Sequence, residues 1–262
     1  MRVAVNGAAG AMGKRIVALV AEAEDCELVA ALEAAGHPDL GKDAGAVAGI
    51  EPLGVPLSCE LSGQADVLVD FSVPDAAVAC ARECADRGIA VVTGTTGLSA
   101  EQRTEIQERI AGRIAVLTAP NMSLGVNLLY SLVEHAARAL PAGYDIEIVE
   151  AHHRRKKDAP SGTAMELARR LCTALERDQD SVLRYGRHGL VGQRRADEIA
   201  IHAVRGGDMV GEHRVMFAGD GELIELVHRA SSRQVFARGA MEAARFVVEQ
   251  PPGLYSMQDV LS

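Results

Sequence analysis

At 262 residues the chain is long enough for one large domain or two modest ones, with room for a sizeable core. A formal charge of −9 repels polyanions, and 3% aromatic residues with no tryptophan leave no base-stacking platform, so nucleic acid is not expected as a partner. No apolar stretch reaches the ~20 residues of a bilayer span. Met1-Arg2 runs into a strand pattern with no leader segment, and a cytoplasmic location is expected.

In chain order, Val3 to Asn6 is a short apolar run, followed by glycines and a helical pattern from about Met12 to Glu24. Glu27 to Leu32 predicts a second strand. Val67 to Phe71 is a continuous apolar run broken by Asp70, as in strands covered on both faces. Pro74-Asp75 opens a helix to about Arg87, and Ile89 to Thr93 is the next strand. Ser99 with Gln102 reads as a capping box for a helix to about Ala111, and Ile114 to Leu117 is the next strand. This alternation predicts a doubly wound parallel sheet.

The pattern changes after Asn121. A helix from about Gly125 to Leu140, a strand from Asp145 to Val149 and a helix from about Thr163 to Leu175 are expected. Three closely spaced strands follow: Glu198 to Val204, Gly211 to Phe217 and Leu223 to His228. Their spacing predicts antiparallel pairing, with a hairpin turn at Gly219-Asp220-Gly221. Asp178 to Arg195 reads as a polar loop. A final helix, about Val235 to Val248, is apolar enough to return to the first domain. The expected fold is α/β: a Rossmann-type parallel sheet over 1–122, completed by 233–262, and an α+β domain over 123–232 with an open mixed sheet. The five cysteines (Cys26, Cys59, Cys80, Cys84 and Cys172) match no zinc spacing and read as small buried hydrophobes; no metal site is expected.

Two segments carry chemistry. Gly7-Ala8-Ala9-Gly10-Ala11-Met12-Gly13 joins the first strand to the first helix. Gly7 suits a tight turn, Gly10 a close approach of backbone to a pyrophosphate, and Gly13 close packing of helix on sheet. The helix amino terminus offers free N–H groups to phosphates. Glu33, at the end of the second strand, is placed to bind the adenosine ribose. Gly94-Thr95-Thr96-Gly97 and Ala119-Pro120-Asn121 follow later strands, at the carboxyl ends where ligands of open sheets bind. Their hydroxyls suit a ribose and a nicotinamide amide.

The second segment reads Glu-Ala-His-His-Arg-Arg-Lys-Lys-Asp-Ala-Pro-Ser-Gly-Thr, from Glu150 to Thr163. Two imidazoles and four cations are gathered in an otherwise acidic chain, ahead of a helix start. Backbone N–H groups of Gly162 and Thr163, with the Ser161 and Thr163 hydroxyls, suit a carboxylate. His152 and Lys156 suit proton transfer. No role is assigned to His37, His135 or His188. His202, His213 and His228 fall on strands and read as core or surface residues.

Together with Asp70-Phe71-Ser72 and Asn121-Met122-Ser123-Leu124-Gly125-Val126-Asn127, these segments resemble the 4-hydroxy-tetrahydrodipicolinate reductase (dihydrodipicolinate reductase) family across nearly the whole chain. The resemblance implies reduction of (2S,4S)-4-hydroxy-2,3,4,5-tetrahydrodipicolinate to tetrahydrodipicolinate with NAD(P)H and loss of water, in lysine and diaminopimelate biosynthesis. It assigns Gly7, Ala8, Ala9, Gly10, Ala11, Met12, Glu33, Gly94, Thr95, Thr96, Thr118, Ala119, Pro120 and Asn121 to the cofactor. It makes His152 a proton donor or acceptor and Lys156 a proton donor, with His153, Gly162 and Thr163 on the substrate. It also implies a cytoplasmic homotetramer assembled through the second-domain sheets, and closure about hinges near Asn121 to Ser123 and Ser231 to Arg233.

Several relatives carry an arginine after the acid that corresponds to Glu33, where this chain has Ala34. Without it, NADH is expected to be preferred to, or equal with, NADPH. Another two-domain dehydrogenase of an amino-acid or semialdehyde substrate shares the glycine turn but not the Glu150 to Thr163 segment. A nicotinamide-sensing regulator would need a nucleic-acid or partner-binding module, and none is seen. The reductase reading expects the glycine turn and the basic segment to face each other across a cleft.

Overall fold

The computed structural model describes all residues from Met1 to Ser262. Its contacts separate two compact units, Met1–Leu124 with Gln234–Ser262, and Gly125–Arg233.

The first unit is built on a seven-stranded sheet, in chain order β1 (Arg2–Asn6), β2 (Glu27–Leu32), β3 (Leu57–Ser58), β4 (Val67–Asp70), β5 (Ala90–Thr93), β6 (Ala115–Thr118) and, from the end of the chain, β12 (Gly253–Tyr255). Its order is β12-β6-β5-β4-β1-β2-β3, with every pair parallel. All of β4 and β5 is buried, which is why neither alternates in polarity. The helices of this unit are α1 (Gly13–Glu22), α2 (Ala44–Ala48), α3 (Pro74–Arg87), α4 (Ala100–Glu105), α8 (Gln234–Val247) and α9 (Met257–Val260).

The capping box forms as expected: Ser99 Oγ accepts from Gln102 N at 3.2 Å, and Gln102 Oε1 accepts from Ser99 N at 2.8 Å. The helix it starts is not uniform, because after Glu105 it widens into a π-helical turn over Ile106–Ile110. The closing helix α8 packs on α1, β4, β5 and β6. Gly239 lets α8 pass close to the segment after β6, since a Cβ there would lie 1.7 Å from the Met122 carbonyl oxygen.

The second unit holds α5 (Leu124–Ala139, its first residue belonging to the first unit), β7 (Asp145–His152), α6 (Gly162–Ala174), α7 (Gln179–Val182), β8 (Leu183–Tyr185), β9 (Ile199–Arg205), β10 (Gly211–Gly219) and β11 (Glu222–Ala230). The sheet order is β11-β10-β7-β9-β8. β10 and β11 form the expected hairpin, with Gly221 at φ 84°. The first of the three expected strands departs from the antiparallel reading. β9 lies beside β7 and runs parallel to it, reached by a crossover through α6, as parallel neighbours require. The link from β9 to β10 then passes the end of β7, where Gly206 N donates to the His152 carbonyl and Arg154 N to the Gly207 carbonyl.

The segment expected as a loop over 178–195 contains α7 and β8, and Arg187 and Arg194 tie its far end to Glu147 on β7. One face of the sheet packs Ile146, Ile148, Ile199, Ile201, Val215 and Phe217 against α5 and α6.

The cysteines are free. Cys84 and Cys172 are buried as expected, but Cys26 and Cys80 are half-buried and Cys59 is exposed, on a turn after β3 where no core reaches it. Burial pushes the Cys80 thiol to about 11 and Cys84 to about 12, so neither supplies a ready thiolate.

Candidate active site

In the first unit, the turn after β1 is set by sterics. Gly7 has φ 74°, and a Cβ on it would lie 2.6 Å from the Phe71 carbonyl oxygen. Gly13 serves differently from expectation: its missing Cβ makes room for the Gly7 carbonyl oxygen, 2.1 Å from where it would sit, so the helix start packs on the turn itself. Gly10 is also close, at 3.0 Å from the same oxygen. Helix α1 begins without a side-chain cap. Lys14 N already donates to the Gly10 carbonyl at 3.1 Å, which leaves the Ala11, Met12 and Gly13 N–H groups ahead of it for an anion.

Glu33 follows β2, and its carboxylate accepts from Ala9 N and Ala34 N, each at 3.0 Å. The expected ribose acid thus also braces the glycine turn.

The Gly94–Gly97 loop is held by a residue to which sequence reasoning assigned no role. Asp70 is fully buried. One of its oxygens accepts from Asn6 Nδ2 at 2.8 Å and Ser72 Oγ at 2.5 Å, the other from Thr93 and Thr95 Oγ1, both at 2.7 Å. Thr95 Oγ1 also accepts from Ser72 N at 3.1 Å, so this hydroxyl shapes the loop instead of facing a ribose. Gly94 leaves room for the Phe71 ring, 2.4 Å from a Cβ built there. Thr96 and Pro120 are exposed. With Thr118, Ala119, Arg103 and Leu254 they line a mainly apolar cavity of about 330 Å³ at the carboxyl ends of β5 and β6. The turn, the uncapped helix start, the acid and the apolar pocket fit a dinucleotide.

In the second unit, β7 delivers the basic segment. Side chains alternate along it, so Ile146, Ile148, Glu150 and His152 point to one face. Glu150 occupies a core position at 0% exposure. His152 Nδ1 lies 2.6 Å from Glu150 Oε2, and an ionised carboxylate can only accept, so Nδ1 carries the proton. Arg205, opposite His152 on β9, grips Glu150 with both terminal nitrogens, at 2.8 and 2.7 Å. Ser161 N donates to Glu150 Oε1 at 3.0 Å, and Ser161 Oγ caps α6 through Ala164 N.

His213, opposite Glu150 on β10, stands edge-on to His152 and shares a 3.0 Å hydrogen bond with Ser161 Oγ. Burial pushes His213 down to about 3, helped by the neighbouring His152, and keeps it neutral. Burial also lowers His152, against the upward pull of Glu150. A Cβ at Gly211 would lie 3.1 Å from His152 Nε2, so the glycine keeps that nitrogen clear.

Lys156 follows a turn closed by its N–H on the His153 carbonyl, and its ammonium meets Asp158 at 2.8 Å. Nothing crowds the face of Gly162. Thr163 bonds the Tyr130 hydroxyl, and His153 Nδ1 is buried without a protein partner. The fold therefore gathers His152, His153, Lys156, Gly162 and Thr163 at one end of β7 and the start of α6. It adds Glu150, Arg205 and His213. The one sequence signal for Glu150 was an acid at an apolar position of an alternating strand.

Two family models match the chain end to end: dihydrodipicolinate reductase, N-terminus, over residues 1–122, and dihydrodipicolinate reductase, C-terminus, over 125–261. The chain belongs to the dihydrodipicolinate reductase family. This is a family of NAD(P)H-dependent oxidoreductases. The chain is 50% identical to a 4-hydroxy-tetrahydrodipicolinate reductase of Anaeromyxobacter sp. (strain Fw109-5), covering 100% of this chain and 97% of the relative. It is 49% identical to the enzyme of that name from Nitrosomonas europaea, covering 100% and 98%. Among solved structures it is similar to a dipicolinate-bound dihydrodipicolinate reductase from Paenisporosarcina sp. TG-14, at TM-score 0.79 and 28% identity, covering 100% of this chain and 99% of the other.

Proposed function

We propose that the chain reduces (2S,4S)-4-hydroxy-2,3,4,5-tetrahydrodipicolinate to tetrahydrodipicolinate with loss of water, in lysine and diaminopimelate biosynthesis. The observation that carries this reading is the half-buried His152 imidazole at the end of β7, beside the Ser161-Gly162-Thr163 helix start. It places a proton-transfer imidazole next to an anion-binding turn.

The nicotinamide cofactor supplies a hydride when bound. Gly7 to Met12 hold its pyrophosphate, and Glu33 its adenosine ribose. Gly94 to Thr96 and Thr118 to Asn121 hold the nicotinamide half. The Gly162 and Thr163 amides and His153 bind a substrate carboxylate, and the cations of the segment balance the second. Dipicolinate, bound in the Paenisporosarcina relative, is itself a dicarboxylate and supports that role. Lys156 delivers the proton that accompanies reduction, and His152 relays protons through Nε2.

Glu33 without a following arginine favours the 2′-hydroxyl of NADH over the 2′-phosphate of NADPH. The helix-free face of the second sheet exposes Val204, Leu223 and Val227, which supports assembly as a homotetramer through that sheet. No helix is long and apolar enough to cross a membrane, in keeping with a cytoplasmic enzyme.

The deciding experiment is a spectrophotometric assay of NADH loss, with substrate generated from pyruvate and aspartate semialdehyde. Turnover is expected with wild type and strongly reduced with Lys156→Ala. No turnover by the wild-type protein overturns the reading.

A further inference from the structure

Glu150 has no place in the proton-transfer and substrate-binding set above, yet it is the most completely enclosed charge of the second unit. At 0% exposure it accepts four hydrogen bonds, from Arg205 Nη1 and Nη2, His152 Nδ1 and Ser161 N. A buried ion pair of this kind is seldom a net gain in stability over apolar packing, and Ile146 and Ile148 occupy the preceding positions of the same face. What the carboxylate does that an isoleucine cannot is bind two functional elements at once. It fixes the tautomer and orientation of His152, and it holds the amide of the residue that opens the Ser161-Gly162-Thr163 turn.

We propose that Glu150 is a positioning residue, which locks the His152 imidazole and the carboxylate-binding turn in one register, and that Arg205 tempers its pull on His152. Arg205 donates one bond to each carboxylate oxygen, so the same oxygen that faces Nδ1 is shared with a guanidinium. The groups that face His152 are Glu150 on its own strand, Arg205 on β9, His213 on β10 and Lys156 on the following loop. Burial lowers the imidazole's proton affinity first; with His213 neutral, the charges that act on it beyond that are Glu150 against the two cations. Because this role deepens the reductase reading, it rests on His152 being a proton-transfer group.

The test is a histidine ¹H–¹⁵N NMR titration of the full-length protein, in which the His152 signal is assigned by its loss in His152→Gln. Glu150→Gln is expected to lower the His152 midpoint by at least about one unit, and Arg205→Gln to raise it by a similar amount. In the coupled assay, Glu150→Gln is expected to lower kcat about 10–100-fold and raise substrate KM, with KM for NADH unchanged. Opposite shifts in the two variants support the proposal, because general loosening moves both the same way. Shifts of one sign, or no shift, overturn it. Should Glu150→Gln fail to fold, the Arg205→Gln titration decides alone: a rise supports, a fall or no change overturns. The titration does not depend on turnover, so an inactive wild-type protein would sink the reductase reading and leave this result standing.

Discussion

Asp70 and Glu150 are two fully buried carboxylates near the carboxyl ends of strands, one in each unit, and each accepts four hydrogen bonds. Their donors differ in kind. Asp70 is held by an amide and three hydroxyls, all neutral. Glu150 is held by a guanidinium, an imidazole and a backbone amide. Hydroxyls can turn to accept as well as donate; a guanidinium can only donate. The first carboxylate therefore fixes the shape of a binding loop, and the second also sets charge where protons move. That division matches the roles proposed for the two units, one holding a cofactor and the other carrying proton chemistry.

The sharpest way to break this contrast is to remove the proton donor. Lys156→Ala is expected to lower kcat about 10²–10³-fold while NADH affinity, followed by nucleotide fluorescence, stays as in wild type. A parallel loss of NADH affinity would blur the division.

Next come the two acids themselves. Glu150→Gln forces an amide N–H₂ toward the Arg205 guanidinium, which cannot accept, and is expected to cost about 3 kcal/mol in denaturant unfolding. Asp70→Asn lets the Ser72, Thr93 or Thr95 hydroxyls turn, and is expected to cost about 1 kcal/mol. Equal costs would show that the kind of donor is immaterial.

A smaller effect separates the neutral histidine from its charged surroundings. Unfolded, His213 takes up a proton near its ordinary value of 6.5; folded, it resists until about 3. Between those values the unfolded chain binds more protons, so this residue's contribution to stability is lost as pH falls. His213→Gln is expected to flatten the decline between pH 6.5 and 5 by roughly 1–2 kcal/mol, measured as unfolding midpoints across pH.

The smallest expected effect concerns the first unit alone. Ala34→Arg, beside Glu33, is expected to raise kcat/KM for NADPH relative to NADH about tenfold, near 1.4 kcal/mol. A wild-type enzyme that already prefers NADPH strongly would overturn the cofactor reading.

Much of the first unit was legible because its strands are continuous apolar runs separated by helices with clear punctuation, such as Pro74 and the Ser99–Gln102 box. The short strands β3 and β12, of two and three residues, were not, since so few residues carry no periodicity. In the second unit the strands other than the short β8 were legible, and so was the β10–β11 hairpin, but the place of β9 beside β7 was not. Period-2 alternation names a face; it does not name the adjacent strand.

The site divides along the same line. Local sequence alone determined the glycine turn, because only glycine accepts the φ of Gly7, and the His152 to Thr163 segment, because its groups are contiguous in the chain. Only the tertiary structure decided that Arg205 and His213 flank Glu150 and His152. They lie more than fifty residues away, and they arrive there because the sheet is ordered β10-β7-β9. The physical reason is that local pattern records which residues prefer burial, whereas the pairing of one buried charge with another is settled when strands from distant parts of the chain take adjacent places.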